Sequence, residues 1–359
     1  MARVVVVGAS GNVGSRTVAH LREAGVEEIV GVARRTPDVS RGVHWVSCDI
    51  GAPDAFNQLT RVFEGAEAVV HLAWQIQPGR SLEQLHRTNV VGSRHVADAV
   101  AAAGVPTLLY ASSVGAYSAG PKDRAVDESW PTEGTSTSTY ARHKAAVERA
   151  LDRFERHAPD VRLVRFRPGL VFQREAASEI ARYFLGPYIP LSAIRRRLIP
   201  MLPTFARLAF QAVHADDVGA AFARALADTS ASGAYNLAAD PVLDTAQLAE
   251  ALRAKPIPVP FSVIRAAGDL AFRARLVPTD AGWLDMAAAV PLMSTHRART
   301  ELGWVPRHSS TEALLELIDG MQHQAGAPTP PLLAMPATAR RVADAVRTAA
   351  HGGPGSENP

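Results

Sequence analysis

A run of β-branched residues, Val4 to Val7, passes directly into Gly8-Ala9-Ser10-Gly11-Asn12-Val13-Gly14, and an amphipathic helical pattern follows over Val13–Ala24. No other feature of the chain narrows the fold as far. A strand that turns sharply into a helix, with glycines where Cβ atoms would stand in the way, presents bare N–H groups and a positive helix end to an anion. The spacing is GxxGxxG rather than GxGxxG. It meets the same three demands: a tight turn, close backbone approach to a pyrophosphate, and close packing of helix on sheet. Gly8, Ser10, Gly11, Asn12, Val13 and Gly14 are therefore the candidate residues for the phosphates of a dinucleotide.

The same unit recurs through the first half of the chain. Strands are expected at Val4–Gly8, Ile29–Ala33, Val43–Ser47, Ala68–Leu72, Thr107–Ala111 and Leu163–Phe166, with helices between most of them, including Leu82–Ala103 and Tyr140–His157. Continuous apolar strands alternating with helices imply an α/β fold, a doubly wound, Rossmann-like parallel sheet covered on both faces. This assigns residues 1–168 to a dinucleotide-binding domain. After Pro168 the texture changes, and residues 169–325 read as a smaller α+β lobe with some segments returning to the first core. Its helices are expected at Ala215–Ala227, Thr245–Arg253 and Thr311–Met321, with a strand at Ala234–Leu237. Residues 326–359, rich in Pro, Ala and Arg, read as a partly disordered tail with one helix at Thr338–Ala349.

Composition excludes several function classes. At 47% hydrophobic over 359 residues the chain can build a sizeable core, and a net charge of +3 leaves no basic surface for nucleic acid. The densest basic run, Arg195-Arg196-Arg197, sits among apolar residues. Cys48 is the single cysteine, so neither a disulfide nor a thiolate metal site is available, which suits a reducing cytoplasm. The apolar stretches are too short or too interrupted for a signal peptide or a membrane span.

The second strand ends Val32-Ala33-Arg34-Arg35, where NAD sites usually carry an acidic residue for the ribose 2′-hydroxyl. Arg34 can instead pair with a 2′-phosphate, which favours NADP over NAD. Asp49, at the end of the third strand, is placed to accept from the adenine amino group, with Ile50 beside it. Tyr140-Ala141-Arg142-His143-Lys144 opens a helix, and its i, i+4 spacing puts Tyr140 and Lys144 on one face. A nearby ammonium is expected to lower the phenol's pKa, so that Tyr140 exchanges a proton with an alcohol or ketone. The chain has only three lysines among its 38 Lys and Arg residues, so one at this spacing stands out. Upstream, the strand Thr107–Ala111 ends in Ser112-Ser113, whose hydroxyls can reach a substrate oxygen.

These segments together resemble the extended short-chain dehydrogenase/reductase family, which includes NAD(P)-dependent sugar epimerases and dehydratases. The likeness runs from about Val4 to Gly320. Val70-His71-Leu72-Ala73 is similar to the family's strand end that lines the cofactor, so Leu72, Ala73 and the adjoining Trp74 are expected there. Asn89 resembles the family's structural and active-site asparagine. Tyr110-Ala111-Ser112-Ser113-Val114-Gly115-Ala116-Tyr117 resembles its serine strand, and by that register Ser113 rather than Ser112 is catalytic. Arg167-Pro168-Gly169-Leu170-Val171-Phe172 resembles the segment beside the nicotinamide, which adds Pro168 and Val171 to the lining. Val213-His214-Ala215-Asp216-Asp217-Val218, Ala234-Tyr235-Asn236-Leu237 and Glu301-Leu302-Gly303-Trp304-Val305-Pro306 are similar to later family segments; Asp216 is expected to cap a helix and Asp217 to add charge in its first turn.

The resemblance implies a Ser113–Tyr140–Lys144 catalytic set and oxidoreduction between a carbonyl and a secondary alcohol of a small or moderately apolar substrate. The dehydratases of the family resemble one another in an acidic pair after the catalytic hydroxyl residue, where this chain has Val114 and Gly115; dehydration is disfavoured. The nucleotide-sugar epimerases typically carry an asparagine after the Arg-Pro strand, where this chain has Gln173-Arg174. The segment 173–213, with Tyr183, Phe184, Tyr188, Ile189 and Leu191, is either a packed helical excursion or a pocket for a less polar substrate. An NAD-dependent nucleotide-sugar epimerase and a non-catalytic NADP-binding redox sensor are the alternatives. A homodimer through the helices Leu82–Ala103 and Tyr140–His157 is expected by the same resemblance.

Overall fold

The computed structural model describes residues 3–38, 42–77, 79–185 and 200–334. Seven parallel strands form its central sheet: β1 (Arg3–Val7), β2 (Glu28–Ala33), β3 (His44–Ser47), β4 (Ala68–His71), β5 (Thr107–Ala111), β6 (Arg162–Pro168) and β7 (Gly233–Leu237). Their spatial order is β7-β6-β5-β4-β1-β2-β3. The order reverses between β1 and β4, and at such a switch point the carboxyl ends of the strands open a crevice for ligand.

Alternation along β1 explains why the fold needs helices on both faces. Val4 and Val6 join one buried cluster with Leu21, Val218, Phe222 and Trp304. Val5 and Val7 join the other, with Leu59, Phe63, Val96, Val100, Leu151 and Phe154. The first face is covered by α1 (Asn12–Glu23) and α7 (Ala215–Ala227), the second by α2 (Ala55–Phe63), α4 (Gly92–Ala102) and α5 (Thr139–His157). With both faces dry at the centre of the sheet, β1, β4 and β5 read as nearly continuous apolar runs rather than alternating ones.

The helix expected at Leu82–Ala103 is not continuous. It consists of α3 (Leu82–His86), a π-helical turn at Arg87–Val91, and then α4. The wide turn carries the buried Asn89. Its side chain accepts from Gln75 N at 2.7 Å and donates to Gln75 O at 2.8 Å, pinning the loop that leaves β4. Such inserted turns mark functional positions more often than regular helix does.

Beyond β6 the chain builds the second lobe. α6 (Ala177–Phe184), α8 (Thr245–Leu252) and α12 (Ser310–Gln322) pack around Phe172, Leu243, Leu248 and Leu317. α9 (Phe261–Arg273), α10 (Gly282–Ala289) and α11 (His296–Glu301) complete it. The strand expected in this lobe at Ala234–Leu237 is β7, which returns to pair with β6 in the main sheet. Asp217 accepts from Arg307 N, His308 N and His308 Nδ1, so it anchors the turn before α12. The cap of α7 is His214, whose Nδ1 accepts from Asp216 N at 3.2 Å, and not Asp216.

Residues 326–334, which the sequence texture places at the start of a tail, are packed. Leu332 is fully buried, and Thr329 Oγ1 donates to Ser10 O of the glycine loop at 2.8 Å. The helix expected at Thr338–Ala349, along with Tyr188, Ile189, Leu191 and Arg195–Arg197, lies outside the described residues.

Candidate active site

The glycine loop forms where β1 ends. Gly8 has φ +91, and a Cβ there would stand 2.6 Å from Ala73 N; one on Gly14 would stand 2.1 Å from Gly8 O. The loop thus fits only as glycine, held between the exits of β1 and β4. Gly11 is the N-cap residue of α1 and has no side chain with which to cap it, so the first-turn amides keep their donor capacity for an anion. Asn12 Nδ2 donates to Val171 O at 3.1 Å, which ties the loop to the segment following β6.

Leu72, Ala73 and Trp74 follow β4 along the crevice, and Leu72 N donates to Val7 O. Ile50 is buried beneath the start of α4. Asp49 already accepts from Gly51 N at 3.0 Å and pairs with Arg87 at 3.1 Å, leaving only part of its acceptor capacity for an adenine. Arg34 is exposed at the end of β2, with Nη1 3.4 Å from Gln75 Oε1. Pro168 closes β6. Gln173, fully buried, donates to Asn12 O at 2.9 Å and Asn12 Oδ1 at 2.8 Å. Its amide is spent on the glycine loop and is not a substrate anchor.

Ser113, Tyr140 and Lys144 converge at the ends of β5 and α5. Ser138 caps α5, its hydroxyl accepting from Ala141 N, so Tyr140 lies in the first turn of the helix. The two serines have different partners. Ser112 Oγ donates to buried Glu148 Oε1 at 2.6 Å, and Arg167 and Arg165 hold the same carboxylate. Burial would raise the Glu148 carboxyl, but the two guanidinium groups and the Ser112 hydroxyl overcome it and hold it at about 2. Ser113 Oγ accepts from Gly115 N at 3.0 Å and lies close enough to the Tyr140 phenol to oppose the rise of its pKa.

The expected effect of Lys144 on Tyr140 is not what the geometry gives. Burial pushes the Tyr140 phenol up to about 12, with the Ser113 hydrogen bond opposing it. Lys144 Nζ donates to Ala111 O at 2.8 Å and lies 3.6 Å from the centre of the Trp74 ring, against 5.9 Å for the Tyr140 ring. Burial draws the ammonium well below the ordinary lysine range, although the Glu148 carboxylate pulls the other way. The spacing puts both residues on one helix face; it does not set where the long lysine stem points.

Three aromatic residues surround Tyr140, and one of them, Trp283, has no counterpart in the sequence reading of the site. Trp283 of α10 lies 4.8 Å from the Tyr140 ring centre, Trp74 meets it edge-on at 5.8 Å, and Phe184 of α6 meets Trp283 edge-on at 4.9 Å. Trp74 itself was anticipated, as part of the cofactor lining. A small cleft beside Tyr140 and Trp283 is lined by Ile76, Leu85, Asn89, His143 and Asp280. No motif marks Trp283, because its neighbourhood is set by contacts between segments far apart in the chain.

The family model for the NAD dependent epimerase/dehydratase family matches residues 4–238. Over 113 residues the chain is 35% identical to an L-arabinose 1-dehydrogenase (NAD(P)(+)) of Haloferax volcanii, covering 32% of this chain and 41% of that one. Over 167 residues it is 29% identical to the UDP-glucose 4-epimerase of Mus musculus, covering 41% and 47%. It therefore spans less than half the length of either relative. Among solved structures, the UDP-glucose 4-epimerase of Thermotoga maritima with UDP-glucose superposes with a TM-score of 0.66 at 20% identity, over 89% of this chain and 99% of that one. The Thermus thermophilus UDP-glucose 4-epimerase in complex with NAD gives 0.64 at 23%, over the same shares.

Proposed function

Because this chain belongs to the NAD-dependent epimerase/dehydratase family, we propose that it is an NAD(P)-dependent oxidoreductase interconverting a carbonyl and a secondary alcohol on a small, moderately apolar substrate. The observation that carries the reading is the meeting of Ser113 and Tyr140 beside an aromatic cleft, with no acidic pair after Ser113. A side chain at Gly115 would stand 2.9 Å from Tyr140 Cε1, so a dehydratase-type acid has no room there. The loss of an asparagine anchor at Gln173 counts against a nucleotide-sugar epimerase.

The residues present fit a dinucleotide: a cradle at Gly8 and Gly14 that a Cβ would fill, and an uncapped helix start at Gly11. Those first-turn amides would hold the pyrophosphate, and Arg34, with no acid beside it on the strand end, favours a 2′-phosphate and hence NADP. A bound nicotinamide supplies or accepts the hydride. Tyr140, kept protonated by burial, gives its proton to the carbonyl oxygen as the alcohol forms, and Ser113 orients that oxygen. Lys144 holds the ribose side, and the phenolate left on Tyr140 takes its proton back from water. A cytoplasmic location belongs to the same proposal.

The test is NADPH and NADH oxidation against a panel of ketones and aldehydes, with denatured protein examined by mass spectrometry for retained dinucleotide. Exchangeable cofactor, preference for NADPH, and a loss of about 10²-fold or more in Tyr140→Phe are the expected results. Stoichiometric retained NAD without net turnover would overturn the reading in favour of epimerisation.

A further inference from the structure

Resting on the reading of Tyr140 as proton donor, we propose that the substrate is an uncharged, flat compound bearing its carbonyl on an aromatic ring, held against the indole of Trp283. The placement of that indole is built in. Gly282 brings α10 so close to the start of α5 that a Cβ there would stand 2.4 Å from Thr137 O, and the next residue is Trp283. Its ring is tilted 41° to that of Tyr140 at 4.8 Å, and Phe184 supports it from α6 at 88°. Val114 and Met286 pack against the same group. The wall beside the reacting hydroxyl is therefore a rigid set of ring faces, and ring faces reward flat, polarizable ligands.

Several polar groups at the cleft are already engaged. A sugar needs side chains free to pair with its hydroxyls, but Asn89 has its amide tied to Gln75 in both directions. Gln75 Nε2 donates to Gln77 O, and Asp280 Oδ1 accepts from Gly282 N. Among the described residues no arginine lines the cleft, so a diphosphate finds no guanidinium there.

The experiment measures binding of acetophenone, cyclohexyl methyl ketone and UDP-glucose to the full chain saturated with oxidised dinucleotide, by calorimetry, in the parent, Trp283→Phe and Trp283→Leu. Acetophenone is expected to bind about fivefold tighter than its saturated analogue in the parent, with the preference kept in Trp283→Phe and lost in Trp283→Leu. Equal affinity for the two ketones, or tighter binding of UDP-glucose than of either, overturns the inference. Should Trp283→Leu fail to fold, the two ketones compared in the parent still decide it. Aromatic preference in binding with no reduction by NADPH or NADH would sink the proposed reaction and leave the aromatic site standing; equal reduction of both ketones would do the reverse.

Discussion

Gly115 shows how one missing side chain limits the chemistry of a site. A Cβ at that position would stand 2.9 Å from both Met286 Sδ and Tyr140 Cε1. The thioether can turn away, but the tyrosine ring is wedged between Trp74 and Trp283. Gly115→Ala should therefore displace the phenol and lower kcat by about tenfold or more while leaving dinucleotide affinity within a few-fold, read by steady-state kinetics and cofactor titration. An unchanged kcat would show that the ring moves freely. Legibility at this scale is uneven. The register of Tyr110–Tyr117 singles out Ser113 over Ser112, and in the fold Ser112 is the one bound to Glu148. Trp283 carries no local pattern, and the direction of Lys144 Nζ depends on a carbonyl at Ala111, a contact 33 residues away in sequence.

Among the elements, α6 holds a buried acid with a measurable consequence. Glu179 is 7% exposed and accepts from the Tyr183 hydroxyl at 2.8 Å. Burial raises its carboxyl from the ordinary 4.5 to about 7, with Tyr183 and Arg182 opposing. The fold then keeps a proton that the unfolded chain releases, so the contribution of Glu179 to stability falls as pH rises from about 4.5 to about 7 and changes little above. Glu179→Gln should abolish that slope and, at pH 8, be more stable than the parent by ~2 kcal/mol, seen as a higher melting temperature. An identical slope in the variant would refute the assignment. Periodicity located α1, α5, α7, α8 and α12 within a residue or two, because an amphipathic stripe is a direct record of burial, and placed no bounds on α2, α6, α9, α10 or α11. It could not show the π-turn at Arg87–Val91, where one extra residue per turn shifts the stripe without breaking it.

For the whole molecule, the doubly wound sheet was legible because parallel strands buried on both faces cannot hide their apolar runs. The return of β7 to β6 was less so, since Gly233–Leu237 is short and far from its partner. No helix among the described residues is long and apolar enough to cross a membrane. The helices expected to form a dimer, α4 and α5, expose Arg94, Arg142, Arg149, Arg153 and Arg156 beside Asp98, while Asp152 and Glu155 are engaged by Arg165. Two such faces repel, so a dimer through them should strengthen as added salt screens the charge, by sedimentation between low and high ionic strength. A dimer that weakens with salt would place the contact elsewhere.

The pairing of β7 with β6 also has a consequence for how the chain is made. Val164 meets Gly233 in the finished sheet, so the edge of β6 must wait for residues synthesised well after it. At common translation speeds that interval is roughly 4 to 14 seconds, during which an apolar strand edge is open to whatever else is nearby. Nascent chains stalled before residue 233 should therefore recruit chaperones that chains released past it no longer need.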